Sequence, residues 1–61
     1  MSKKIENFKV GDEFMVDGLA PNGDFIKSKA KLIAYNGMNK YIIDNNGITI
    51  LVDGGDNAYE I

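Results

Sequence analysis

The chain contains no cysteine, histidine, tryptophan or arginine, and only one proline. Each absence excludes something. Without Cys there are no disulfides, and without Cys or His the ligand types of most structural zinc sites are missing. The fold must therefore be held by packing, within itself or against a partner. Secreted domains of this size usually carry disulfides, so a cytoplasmic location is expected. Without His, the hydroxyls of Ser2, Ser28 and Thr49 have no imidazole to activate them. Carboxylate pairs could be drawn from Asp44, Asp53 and Asp56, but each lies beside Gly or Asn, where Asp is favoured for backbone capping. The expectation is a chain that is not an enzyme and takes no cofactor.

Long apolar runs are also missing. The longest apolar-rich piece, Ile48-Thr49-Ile50-Leu51-Val52, is strand length and far from the ~20 residues of a membrane helix. The basic start, Ser2-Lys3-Lys4, has no apolar run behind it, so neither a signal peptide nor a membrane partner is expected. Arg is the usual reader of phosphates and guanine, and the net charge is −2. Generic nucleic-acid binding is therefore disfavoured.

Glycine and asparagine are abundant. Seven glycines divide the 61 residues into short segments, and seven asparagines fall largely at the same breaks. This supports one domain over residues 1–61, with 1–7 as a flexible lead-in or a short helical turn. No window carries a helical apolar stripe. Alternation instead predicts strands at 12–19, 25–35, 39–44 and 48–52, with a short closing strand at 58–61. Turns are expected at Ala20-Pro21-Asn22-Gly23-Asp24, Asn36-Gly37, Asn45-Asn46-Gly47 and Asp53-Gly54-Gly55-Asp56-Asn57. In the second strand the apolar phase slips, because Ile33 and Tyr35 share parity with Lys27, Lys29 and Lys31. A bulge near residues 31–33 would absorb the slip.

The 39–52 hairpin is the clearest local feature. A two-residue loop would put Tyr41 and Ile43 on one face with Ile48, Ile50 and Val52, and Ile42, Thr49 and Leu51 on the other. A three-residue loop would pair Ile42 with Ile50 instead. The fold class expected is all-β, a small five-stranded antiparallel barrel or strongly bent sheet. The opening Phe8-Lys9-Val10-Gly11-Asp12-Glu13-Phe14, together with the strand pattern, resembles SH3-like small barrels. That resemblance implies a fold and carries no activity with it.

Three groups of residues are candidate sites. The acidic turns offer oxygen ligands of the kind calcium accepts, but they lack the spacing of an EF-hand loop, and turn chemistry accounts for them without a metal. Lys27, Lys29 and Lys31 alternate and so project from one face. They would form a nucleic-acid-binding stripe with Tyr35 beside it, or else a solvated face that discourages aggregation. The third group is an apolar surplus on the hairpin: Ile42 and Leu51, joined by Met38, Met15 and Tyr41, lie beyond what one buried face needs. The function expected is a small protein-interaction module. The shortness and the Asn- and Lys-rich composition fit a phage or mobile-element inhibitor that occludes a host protein. A nucleic-acid-binding domain using the lysine stripe is the alternative. A homodimer through an unpaired strand edge is compatible with the first.

Overall fold

The computed structural model describes residues 2–19 and 25–61. The expected turn at Ala20–Asp24 lies outside the described residues. Six strands form one antiparallel sheet: β1 (Ser2–Lys4), β2 (Glu13–Leu19), β3 (Phe25–Gly37), β4 (Lys40–Asn45), β5 (Ile48–Asp53) and β6 (Asn57–Tyr59). Their order in the sheet is β1-β6-β2-β3-β4-β5. The five-strand expectation is corrected to six, because Ser2–Lys4, expected as a lead-in, pairs with β6. The closing strand is Asn57–Tyr59 rather than 58–61. The sheet is not closed: β1 and β5 are its two edges.

Turn chemistry fixes the meander. Asn46 and Gly47 both take positive φ, at 54° and 84°, and form a two-residue loop between Asn45 and Ile48. Two left-handed residues give the type I′ geometry whose twist matches that of the flanking strands. The β4–β5 register follows: Tyr41 opposes Val52, Ile42 opposes Leu51, and Ile43 opposes Ile50. This is the two-residue alternative. The preceding hairpin differs from expectation. Its loop is Met38-Asn39 rather than Asn36-Gly37, with φ values of 54° and 58°. Gly37 belongs to β3, opposite Lys40, after a register shift between Tyr35 and Gly37.

A second shift lies between Leu32 and Ala34. It makes Ile33 the extra residue, at the edge of the expected bulge. Leu32 therefore stays opposite Ile43 while Ala34 meets Ile42. Ala30 and Leu32 keep to the core side, and the lysine parity ends where the slip is absorbed.

The buried core is Ile5, Phe14, Val16, Ala30, Leu32, Ile43 and Ala58. Ile5 comes from a single 3-10 turn, Ile5–Asn7, which lies over the inner face. Its N–H donates to the Asp56 carbonyl at 3.0 Å, and the Glu6 N–H donates to the Gly54 carbonyl at the same distance. Phe8 follows and packs its ring 4.6 Å from that of Phe14. The Gly11-Asp12 pair that opens β2 is a turn closed by its own side chain. The Lys9 N–H donates to Asp12 Oδ2 at 2.8 Å, and Gly11 has φ 97°.

Candidate interaction surfaces

The hairpin register divides its side chains between two faces. On the inner face, Ile43 is fully buried and Tyr41 and Val52 are half-buried against the core. On the outer face, Ile33 and Ala34 together oppose Ile42, and Ile42 opposes Leu51. These four form an apolar patch across β3, β4 and β5. Ile33 is exposed, and Leu51 is 58% exposed. The expected pair Ile42 and Leu51 is thus brought together. Ile5 and Phe8 of the N-terminal segment pack with the inner core.

The other expected members are dispersed. Tyr41 points to the inner face, where its ring lies 4.9 Å from that of Tyr35. Met15 is on β2 opposite Lys29, five residues along β3 from Ala34. That is about 16 Å at strand rise. Met38 sits at the tip of the β3–β4 loop, 93% exposed. Its left-handed backbone costs a non-glycine residue roughly 1–2 kcal/mol. The loop is braced beside it, where the Asn39 N–H donates to the Tyr35 hydroxyl at 3.1 Å. The Gly54 N–H reaches the Asn39 carbonyl at 2.8 Å. A Cβ on Gly54 would fall 2.3 Å from Asn39 Oδ1, so the buried glycine makes room for that side chain.

The lysine stripe does share one face, but carboxylates stand on both sides of it. Lys27 opposes Asp17, Lys31 opposes Glu13 on β2, and Lys31 also opposes Asp44 on β4. Lys29 pairs with Glu13 at 3.4 Å. Three cations are thus interleaved with three carboxylates, as expected for cross-strand pairs of opposite charge. Tyr35 lies on the other face, so the stripe and its expected stacking partner are separated. The aromatic neighbour is Tyr59 on β6, whose ring lies 4.4 Å from the Lys27 ammonium. Its hydroxyl donates to Asp17 Oδ2 at 2.8 Å. That hydrogen bond, with smaller contributions from desolvation and the Asp17 charge, raises the phenol above the ordinary tyrosine range. Sequence reasoning missed Tyr59 because its pairing with β2 joins residues far apart in the chain.

The acidic turn Asp53–Asn57 is engaged with its own backbone. Asp56 Oδ2 accepts from the Asp53 N–H at 3.2 Å, and the Asp56 N–H donates to the Asp53 carbonyl at 3.0 Å. Among the described residues, no three carboxylates gather into a metal-holding group. On the inner side, an open groove of about 350 Å³ runs between Val16 and Gly18 of β2, Asn45 of β4 and Ile50 of β5. Asn45 is fixed there by hydrogen bonds of 2.9 Å to Ser28 Oγ and to the Lys29 carbonyl.

The chain is thus an all-β antiparallel protein with one open sheet. No helix among the described residues is long and apolar enough to cross a membrane. No protein-family model, curated protein or solved structure matches the chain.

Proposed function

We propose that this chain is a protein-interaction module that docks through its β4–β5 hairpin. The observation that carries the proposal is the outer-face patch of Ile33, Ala34, Ile42 and Leu51, with exposed Met38 at the neighbouring loop tip. Contiguous exposed apolar surface of this kind marks contact sites in small soluble proteins. Met38 stands apart from this patch at the β3–β4 loop tip and supports the reading separately, because a flexible apolar side chain held exposed in a left-handed turn is not there for stability. The narrower form of the proposal is a cytoplasmic phage or mobile-element inhibitor that occludes a host protein. The meander of β2–β5, with β6 returning to β2, supports reading the sheet as an SH3-like barrel left open at its edges. The nucleic-acid alternative finds less support, because Glu13, Asp17 and Asp44 offset the field of Lys27, Lys29 and Lys31.

The test is capture of tagged protein from native lysate, with nuclease and at high salt, beside Leu51→Asp and Ile42→Asp. A stoichiometric protein lost by a folded Leu51→Asp variant supports the proposal. Recovery of nucleic acid alone, weakening steeply with salt, would replace it with the alternative.

A further inference from the structure

The outer edge of β5 has a hydrogen-bonding phase that can be read from its end. The Gly54 N–H donates to the Asn39 carbonyl at 2.8 Å, which makes Lys40 and Asp53 a non-hydrogen-bonded pair. Alternation then directs the backbone groups of Ile48, Ile50 and Val52 toward β4, and those of Thr49, Leu51 and Asp53 away from it. Asp53 is already satisfied, because Asp56 takes both its N–H and its carbonyl. Thr49 and Leu51 remain, each with one donor and one acceptor facing outward on an edge strand that, among the described residues, pairs only with β4. The strand carries no lysine and no proline, the usual guards of such an edge.

We infer that a second copy of this chain occupies this edge, pairing β5 antiparallel to β5 about a twofold axis at Ile50. The contact is made by the backbone edge of β5 rather than by the outer-face patch, so it stands apart from the docking proposal. This register sets Thr49 opposite the second copy's Leu51, so all four outward groups on each copy find partners. Ile50 then faces its own symmetry mate, and Ile48 faces the mate of Val52. These side chains are all on the inner face, so apolar meets apolar. The only charge on the strand, Asp53, falls opposite Gly47 and meets no like charge. A register centred on Leu51 is poorer, since it sets Thr49 opposite Asp53, whose groups are engaged by Asp56. The tight Asn46-Gly47 loop at one end and the Asp53–Asp56 turn at the other restrict an added strand to about the length of β5 itself. The interface is isologous and closed, as a twofold contact requires. Its small extent makes the dimer weak, with Kd on the order of 10⁻⁵–10⁻⁴ M.

The register is tested by single cysteines, because the chain has none of its own. Non-hydrogen-bonded pairs bring Cβ atoms to a spacing that suits a disulfide. Ile50→Cys is expected to cross-link to a covalent dimer under mild oxidation, ahead of Leu51→Cys and of Met38→Cys as an exposed control. Sedimentation equilibrium of the unmodified chain should show concentration-dependent dimer. Thr49 and Leu51 amides should gain protection from hydrogen exchange as dimer forms, a readout that needs no variant to fold. Preferential cross-linking at residue 51, or a monomer up to about 1 mM with fast exchange at both amides, overturns the inference. If the chain stays monomeric while Leu51→Asp still abolishes capture of a partner, self-pairing falls and the docking proposal stands. If Ile50→Cys cross-links while Leu51→Asp leaves capture intact, the reverse holds.

Discussion

Ile43 and Leu51 lie one register step apart in the same hairpin and face opposite sides, so truncating each should cost very different amounts. Ile43 is 1% exposed, packed in the cluster with Phe14 and Leu32. Removing a buried aliphatic side chain to its Cβ loses the transfer term and leaves a cavity, so Ile43→Ala should cost about 3 kcal/mol. Leu51 keeps 58% of its surface in water. Full burial of a leucine side chain is worth about 1.5–3 kcal/mol, and Leu51→Ala should forfeit only about 0.5–1 kcal/mol of it. Both changes put Ala into a strand, so much of the propensity term cancels in the comparison. A 61-residue domain has about 3–9 kcal/mol of stability in total. Ile43→Ala should therefore leave a marginal fold, while Leu51→Ala stays close to wild type. The assay is urea unfolding followed by circular dichroism at a concentration low enough to keep the chain monomeric. With a slope of about 1 kcal/mol per molar urea, the midpoints should fall by about 3 M and by less than about 1 M. Equal losses, or a larger loss at Leu51, would refute the register. A one-residue slip carries Leu51 inward and Ile50 and Val52 outward.

Met38→Asn should raise stability by about 0.5 kcal/mol, because Asn tolerates the left-handed backbone that Met adopts here. Thermal unfolding should shift upward by about 2–4 °C, while capture of the proposed partner weakens. Among the tyrosines, the Tyr59 phenol should titrate above the ordinary range in a 295 nm absorbance titration, and Asp17→Asn should move it back down. The sign follows from the raised folded-state value. The contribution to stability is fully present below the unfolded tyrosine value and is lost as pH rises through the folded one. A Tyr59 titration unchanged by Asp17→Asn would show that the Asp17 contact does not form in solution.

What the sequence determined is local. The Asn-Gly chemistry at 46–47 placed the β4–β5 turn but left a two-residue and a three-residue loop open, and the left-handed backbone at both Asn46 and Gly47 selects the register that separates Ile42 and Leu51 from Ile43 and Ile50. The phase slip around Ile33 was visible because a strand's period is two, and only an extra residue reconciles Lys31 with Tyr35. The β3–β4 loop lies two residues beyond its expected place for a local reason as well. Asn36-Gly37 has the chemistry of a turn, but Gly37 takes its positive φ inside β3, and Met38-Asn39 make the loop. Tertiary structure alone decided which distant segments meet. The pairing of β6 with β1 and β2 joins residues more than forty positions apart. That pairing brought Tyr59 to Asp17 and Lys27, and made a sixth strand of Ser2–Lys4. It also left β5 as a free edge. Side-chain alternation and turn propensity act over a few residues, whereas the choice of strand neighbours depends on which faces can be buried together once the whole chain has collapsed.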